Sequence, residues 1–98
     1  MRGGGRRRAG FEWDDLKAHN NLRKHGVSFD EAVTVFEDPL SISAPDPVHS
    51  DDEARYVEIG LSGTDRLLVV AYAMRGHRIR LISSRPATSR ERKRYEKK

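Results

Sequence analysis

Regular patterning begins at Phe11-Glu12-Trp13, an apolar–polar–apolar alternation that predicts a short edge strand. Asp14 reads as a helix N-cap, with Asp15 in the first turn complementing the helix dipole. The helix should run to about His25 and stop at Gly26, which takes a left-handed backbone without strain. Its apolar positions, Leu16, Ala18 and Leu22, are few, and Lys17, Asn21 and Lys24 fall on another face, so it is only half-buried. Ser28 and Glu31 have the spacing of a capping box. Phe29, Ala32, Val33 and Phe36 then recur at i, i+3, i+4 and i+7, the stripe of a helix packed on a core, ending at Asp38-Pro39.

Leu40–Ser43 alternates like a short strand, and Pro45-Asp46-Pro47 opens a polar, acidic loop through Glu53. A three-stranded meander follows. Arg55–Leu61 alternates, Ser62-Gly63-Thr64-Asp65 supplies a turn, and Leu67–Met74 is the near-continuous apolar run of a strand covered on both sides. Gly76-His77 is a two-residue turn and Arg78–Arg85 the third strand. Pro86 breaks pairing, and Thr88 with Glu91 forms a second capping box opening a charged helix whose one large apolar group is Tyr95. The order predicts a small single α+β domain: an antiparallel β-sheet with two N-terminal helices and a C-terminal helix.

Pairing Leu61 with Arg66 and Arg75 with Arg78 sets an expected register. One face, the core, then carries Val57, Ile59, Leu61, Leu68, Val70, Tyr72, Met74, Ile79 and Leu81. The other carries Tyr56, Glu58, Val69, Ala71, Ala73, Arg78, Arg80, Ile82 and Ser84, a small-residue floor with room for a ligand or a partner chain. Arg55 and Arg85 have core-face parity but sit at strand ends, where long stems bring guanidiniums out at the rim. Such a fork matches two phosphate oxygens; nearby carboxylates such as Asp52 and Glu53 are the competing partners.

Composition narrows the class. Ninety-eight residues, 36% hydrophobic and 35% charged, make one thin-cored domain and exclude a two-domain enzyme. With no cysteine there are no disulfides, zinc–thiolate sites or thiol nucleophiles, and a reducing cytoplasm is the expected compartment. No apolar run approaches the roughly 18 residues of a membrane span, and no apolar stretch follows the basic N-terminus, so neither a membrane anchor nor a signal peptide is expected. The net charge of +4 is uneven: residues 1–10 and 90–98 each carry +4, and 11–89 carry −4. Residues 1–10, with Gly3–Gly5 and four arginines, are expected to be a disordered basic arm before a single domain over 11–98. Positive ends around an acidic body suit contact with a polyanion at selected places.

Among the histidines, His19 and His25 are six residues apart and share no chelating face. His49-Ser50-Asp51-Asp52-Glu53 lacks a recognised metal spacing, and His77 sits in a turn. No metal site and no cofactor is expected, and no phosphate loop or serine-nucleophile elbow is present. His25 follows Lys24 at a helix C-terminus, where carbonyl dipoles favour the imidazolium.

The blocks Phe11-Glu12-Trp13-Asp14 and Asn21-Leu22-Arg23-Lys24-His25-Gly26-Val27-Ser28-Phe29 resemble the opening of BrnT-type toxins. So do Ala32-Val33 through Phe36, Asp38-Pro39, the Pro45–Ser50 segment, and Arg80-Leu81-Ile82-Ser83-Ser84-Arg85-Pro86-Ala87 leading to Glu91-Arg92 and Tyr95. The resemblance covers about residues 11–96 and leaves the first ten outside. It implies a RelE-like fold and a ribonuclease toxin of a type II toxin–antitoxin module. It also implies a BrnA-like ribbon-helix-helix antitoxin partner, a heterotetramer with it, and operator DNA bound only through that antitoxin. If RNA is cleaved without a metal, the chemistry of the side chains makes Lys24, His25, Arg55, Arg80 and Arg85 the catalytic candidates, and Tyr56, Arg78 and Tyr95 the RNA-binding ones. Two other readings stand beside it: a noncatalytic nucleic-acid-binding module and a protein-interaction module.

Overall fold

The computed structural model describes residues 5–8, 10–46 and 53–97, with side chains from 10 onward. Its elements are β1 (Gly5–Arg8), β2 (Phe11–Asp14), α1 (Asp15–His25), α2 (Phe29–Thr34), a single 3-10 turn at Val35–Glu37, β3 (Ile42–Pro45), β4 (Arg55–Leu61), β5 (Leu67–Arg75), β6 (Arg78–Pro86) and α3 (Ser89–Glu96). The six strands form one sheet in the order β1-β2-β6-β5-β4-β3. Neighbours are antiparallel except β2 and β6, which run parallel. The α+β architecture expected from the sequence is present, with one parallel pair added.

Local signals act as expected at α1. Asp14 accepts from the Lys17 N–H at 3.2 Å, and Gly26, at φ +70°, closes the helix by donating to the Leu22 carbonyl at 2.9 Å. Phe29, Ala32 and Val33 of α2 are buried, with Phe36 packed against them. They meet Trp13, Val27, Val35, Leu68, Val70, Tyr72 and Leu81 in the core under the helices. Aromatic edges interlock there: Phe11–Phe36 and Phe36–Tyr72 centroids are each 5.1 Å apart, and Tyr56 stacks on Tyr72 at 5.6 Å. Across the sheet a smaller cluster of Ile59, Leu67 and Val69 lies against Ala87 and Tyr95, so α3 covers one end of the second face.

Three expectations are corrected. β4 pairs Leu61 with Leu67, not with Arg66, because the loop from 62 to 66 carries an additional residue, with Asp65 left-handed at φ +65°. A one-residue slip reverses every side chain of the strand. Tyr56, Glu58 and Gly60 therefore face the helices, while Arg55, Val57 and Ile59 take the other face. A bulge between Ala71 and Tyr72 then leaves Ile82 as the additional residue of β6, which puts Arg85 on the same face as Arg80 and buries Ser84 under the helices. Finally, residues 5–8 form a strand within the segment expected to be disordered: β2 offers an open edge, and backbone pairing to it needs no apolar side chains.

The carboxylate of Glu31 does not return to the helix start as a reciprocal capping box requires. Ser28 caps the Glu31 N–H at 3.0 Å, but the Glu31 side chain crosses to the β4–β5 loop. There it accepts from Ser62 Oγ at 2.7 Å, Thr64 Oγ1 at 2.6 Å and Arg66 Nε at 2.9 Å. The Arg66 hydrogen bond, with those of Thr64 and Ser62, outweighs burial and holds this carboxyl at about 2. Its stabilisation is therefore complete above its unfolded value of 4.5 and is lost as pH falls toward about 2. Glu31→Gln should cost about 1–2 kcal/mol at pH 7, the lower range for charged hydrogen bonds because Arg66 is solvated. It should also flatten the fall in melting temperature between pH 4.5 and 2, which calorimetry reads directly.

Candidate nucleic-acid interface

The sheet face opposite α1 and α2 gathers the arginines. Directly opposed residues share a face, so Arg55, Ala73, Arg80 and Glu12 form one row across β4, β5, β6 and β2. Val57, Ala71 and Ser83 form the next row, and Ile59, Val69 and Arg85 the one after. Arg75 and Arg78 close the β5–β6 hairpin at the other end. Alanines and a serine in the middle keep the floor low, and long cationic side chains surround it.

Carboxylates aim these cations. Arg80 Nη1 lies 3.4 Å from Glu12 Oε2, and Arg78 Nε lies 3.9 Å from Glu12 Oε1. Arg85 is held by both guanidinium nitrogens: Nη1 to Glu91 Oε1 and Nη2 to Glu91 Oε2, each 2.8 Å. Glu91 also caps α3 through the Thr88 N–H at 2.8 Å, so the capping box fixes Arg85 as well as the helix. Arg85's hydrogen bond, against the opposing effect of burial, lowers Glu91 to about 2, leaving it ionised and the fork closed at neutral pH. The same contact raises the pKa of Arg85.

Two hollows meet on this face. One, of about 170 Å³, is lined by Asp46, Arg55, Ala71, Ile82 and Ser83. The other, of about 270 Å³, runs along α1 past Lys17, Asn20, Lys24 and His25 to the same Ile82 and Ser83. They adjoin because β2 pairs with β6 only at Ile79 and Arg80, which leaves the rest of the β6 edge to α1. Asn21 seals that edge as a strand would: its side chain donates to the Ser84 carbonyl and accepts from the Ser84 N–H, at 2.9 and 3.0 Å. It also donates to the Val27 carbonyl at 2.9 Å.

Five catalytic candidates from the sequence thus border one surface: Arg55, Arg80 and Arg85 on the sheet, Lys24 and His25 on its α1 flank. Arg78 lies at its hairpin end. Tyr56 does not join them, being stacked on Tyr72 on the helix-covered side. Tyr95 projects from α3 onto the Ile59, Leu67 and Val69 cluster and donates to Asp38 Oδ2 at 2.6 Å, a bond that, with burial, raises its hydroxyl to about 12. His49 lies outside the described residues. Sequence reasoning missed Glu12 and the anchoring roles of Asn21 and Glu91. The alternation of Phe11, Glu12 and Trp13 carries a signal for Glu12, because its two neighbours pack in the helix-side core. Among the described residues no three His, Asp or Glu side chains are grouped to hold a metal ion.

This small α+β domain, with its mixed sheet, two N-terminal helices and one C-terminal helix, matches the RelE-like fold. It superposes on the Brucella abortus ribonuclease toxin BrnT with a TM-score of 0.61 at 22% identity, covering 79% of this chain and 94% of that one. Residues 13–91 match the profile of the ribonuclease toxin BrnT of type II toxin–antitoxin systems, and the chain belongs to this family. No curated protein sequence matches it.

Proposed function

We propose that this chain is a metal-independent endoribonuclease, the toxin of a type II toxin–antitoxin module, cutting RNA on the open sheet face. The observation carrying this reading is the convergence of Arg55, Arg80 and Arg85 on one face, beside a groove that holds Lys24 and His25. RNA offers its own nucleophile. A base removes the proton of the ribose 2′-OH, the 2′-oxygen forms a bond to phosphorus, and the bond from phosphorus to the 5′-oxygen breaks. A proton then goes to that leaving oxygen. The products are a 2′,3′-cyclic phosphate and a 5′-hydroxyl.

In this mechanism Arg55, Arg80 and Arg85 stabilise the pentacoordinate phosphate, and Lys24 and His25 supply the proton-transfer groups from the α1 flank. Arg78 binds the adjoining backbone. Tyr95 serves through α3, by keeping Glu91 and hence Arg85 in place. The toxin would act in the cytoplasm and be neutralised by a ribbon-helix-helix antitoxin in a heterotetramer, with operator DNA reached through the antitoxin. The family match to type II systems supports that partnership, and no described helix is long and apolar enough to cross a membrane.

The test uses single-stranded RNA in EDTA and the same oligonucleotide made wholly with 2′-deoxyribose. Cleavage of the RNA to 2′,3′-cyclic phosphate ends, with the deoxy strand intact, is expected. Cleavage of both, or a need for a divalent ion, would overturn the mechanism; binding without cleavage favours the noncatalytic module.

A further inference from the structure

We propose that the hollow bounded by Asp46 and Arg55 seats one guanine base of the RNA, with the Asp46 carboxylate accepting from its N1–H and 2-amino group; this rests on the ribonuclease reading above. Backbone pairing fixes where Asp46 stands. β3 and β4 are antiparallel with Pro45 opposite Tyr56, and the Asp46 N–H donates to the Arg55 carbonyl at 2.8 Å, one step beyond β3. Asp46 is therefore opposite Arg55, and opposed residues share a face of the sheet. It stands at the far end of the row Arg55, Ala73, Arg80, Glu12, on the open face. Pro47 follows it in sequence and biases its backbone to the extended form that keeps this register.

The hollow holds about 170 Å³ between Asp46, Arg55, Ala71, Ile82 and Ser83, room for one planar base. Ala71 and Ile82 offer it apolar surface, and Arg55 supplies a planar guanidinium, a group that stacks on bases as well as binding phosphate. On β6, Ser83 lies between Arg80 and Arg85, with Arg85 about 7 Å further along the strand. A base seated here keeps its own phosphates beside those arginines. A carboxylate on this face repels phosphate; toward a base it discriminates. Guanine alone presents two adjacent donors on its Watson–Crick edge, N1–H and the 2-amino group, which match the two oxygens of one carboxylate. Adenine and cytosine each set a ring acceptor beside their amino group. Uracil sets its one N–H between two carbonyls. Each of these three would turn a lone pair on Asp46.

The test uses a uridine dodecamer with one central residue varied: guanosine, inosine, adenosine or cytidine. The unmodified chain should cleave beside guanosine roughly 5- to 100-fold faster than beside adenosine or cytidine, the usual range for one two-point base contact. Inosine keeps N1–H and lacks the 2-amino group, so its rate should fall between. Asp46→Asn keeps one acceptor and turns an N–H toward guanine's donors; it should bring guanosine and adenosine within twofold of each other. Equal rates on all four RNAs, inosine as fast as guanosine, or a guanosine preference that survives Asp46→Asn would overturn the proposal. The same dodecamers with 2′-O-methyl riboses, which cannot be cleaved, separate it from the reading it rests on. A guanosine preference in their dissociation constants, with no cleavage of the RNA forms, would remove the ribonuclease and support the pocket. Cleavage without base preference would remove the pocket alone, and a chain that neither binds nor cleaves would remove both.

Discussion

Arg80→Ala should lower RNA cleavage about 10²–10³-fold, the usual loss when one preorganised transition-state donor is removed, while the protein stays folded. Arg80 sits near the start of β6, between Ile79, which packs on the helix-side core, and Leu81, which is buried in it. Truncation at 80 thus removes charge and a side-chain stem, not core. Its ion pair with Glu12, at 3.4 Å near the surface, is worth about 0–1 kcal/mol. For a domain this small that is a fall in melting temperature of at most about 8 °C. Single-turnover cleavage at saturating RNA, beside a thermal melt, separates the two effects. Lysine at 80 keeps the charge but loses the planar fork, so a rate close to that of alanine would identify two-point phosphate contact. Full activity of both variants would remove Arg80 from the chemistry.

Arg85 should behave differently, because Glu91 already engages both terminal nitrogens of its guanidinium. Arg85→Ala should reduce cleavage and loosen the start of α3 together. Glu91→Gln keeps the helix cap's shape but weakens the charge pair, and should reduce cleavage by mispositioning Arg85. Its signature is an effect shared with Arg85: the double variant Arg85→Ala, Glu91→Gln should be no slower than Arg85→Ala alone. Additive losses would mean that Glu91 acts independently.

The elements were legible because their signals are local: the Asp14 cap, the Gly26 stop, the stripe from Phe29 to Phe36 and the Thr88–Glu91 box each act within a turn or two. The pairing of Arg75 with Arg78 was legible too, but the register of β4 and of β6 beyond Leu81 was not. Turn length decided which face β4 presents, and the left-handed Asp65 that lengthens the loop is one residue among several able to turn a chain. The bulge at Ala71–Tyr72 has no counterpart in the alternation of β6. These two features carry Arg55 and Arg85 onto the face of Arg80 and take Tyr56 away from it. The arginine set was thus proposed from the chemistry of phosphate, while its common face required the register. Glu31 shows the same limit: the spacing from Ser28 predicts a local bond, and a distant arginine with two loop hydroxyls outcompetes it.

Asn21→Asp should be the most destabilising single-atom exchange in this chain. Asn21 is 6% exposed, and its amide nitrogen donates to two backbone carbonyls, of Val27 and Ser84. Aspartate keeps the acceptor for the Ser84 N–H but replaces both donor hydrogens by an oxygen facing those carbonyls. Ionised, it adds a buried charge to the repulsion; protonated, it satisfies only one of the two. A buried polar group left unpaired costs about 1–3 kcal/mol, and more when charged, so a total of about 3–5 kcal/mol is expected. Small domains are stable by only about 5–15 kcal/mol, so the variant should melt roughly 15–30 °C lower or fail to fold near body temperature. Lowering the pH from 7 to 5 should recover part of the loss, since the native state then gains more from protonation than the unfolded chain. Asn21→Ala supplies the second measurement: it deletes all three bonds without adding an anion and should retain more stability at pH 7. An Asn21→Asp protein as stable as the parent would mean that the β6 edge is not sealed by this side chain. The flank carrying Lys24 and His25 would then have to be held against the sheet by other contacts.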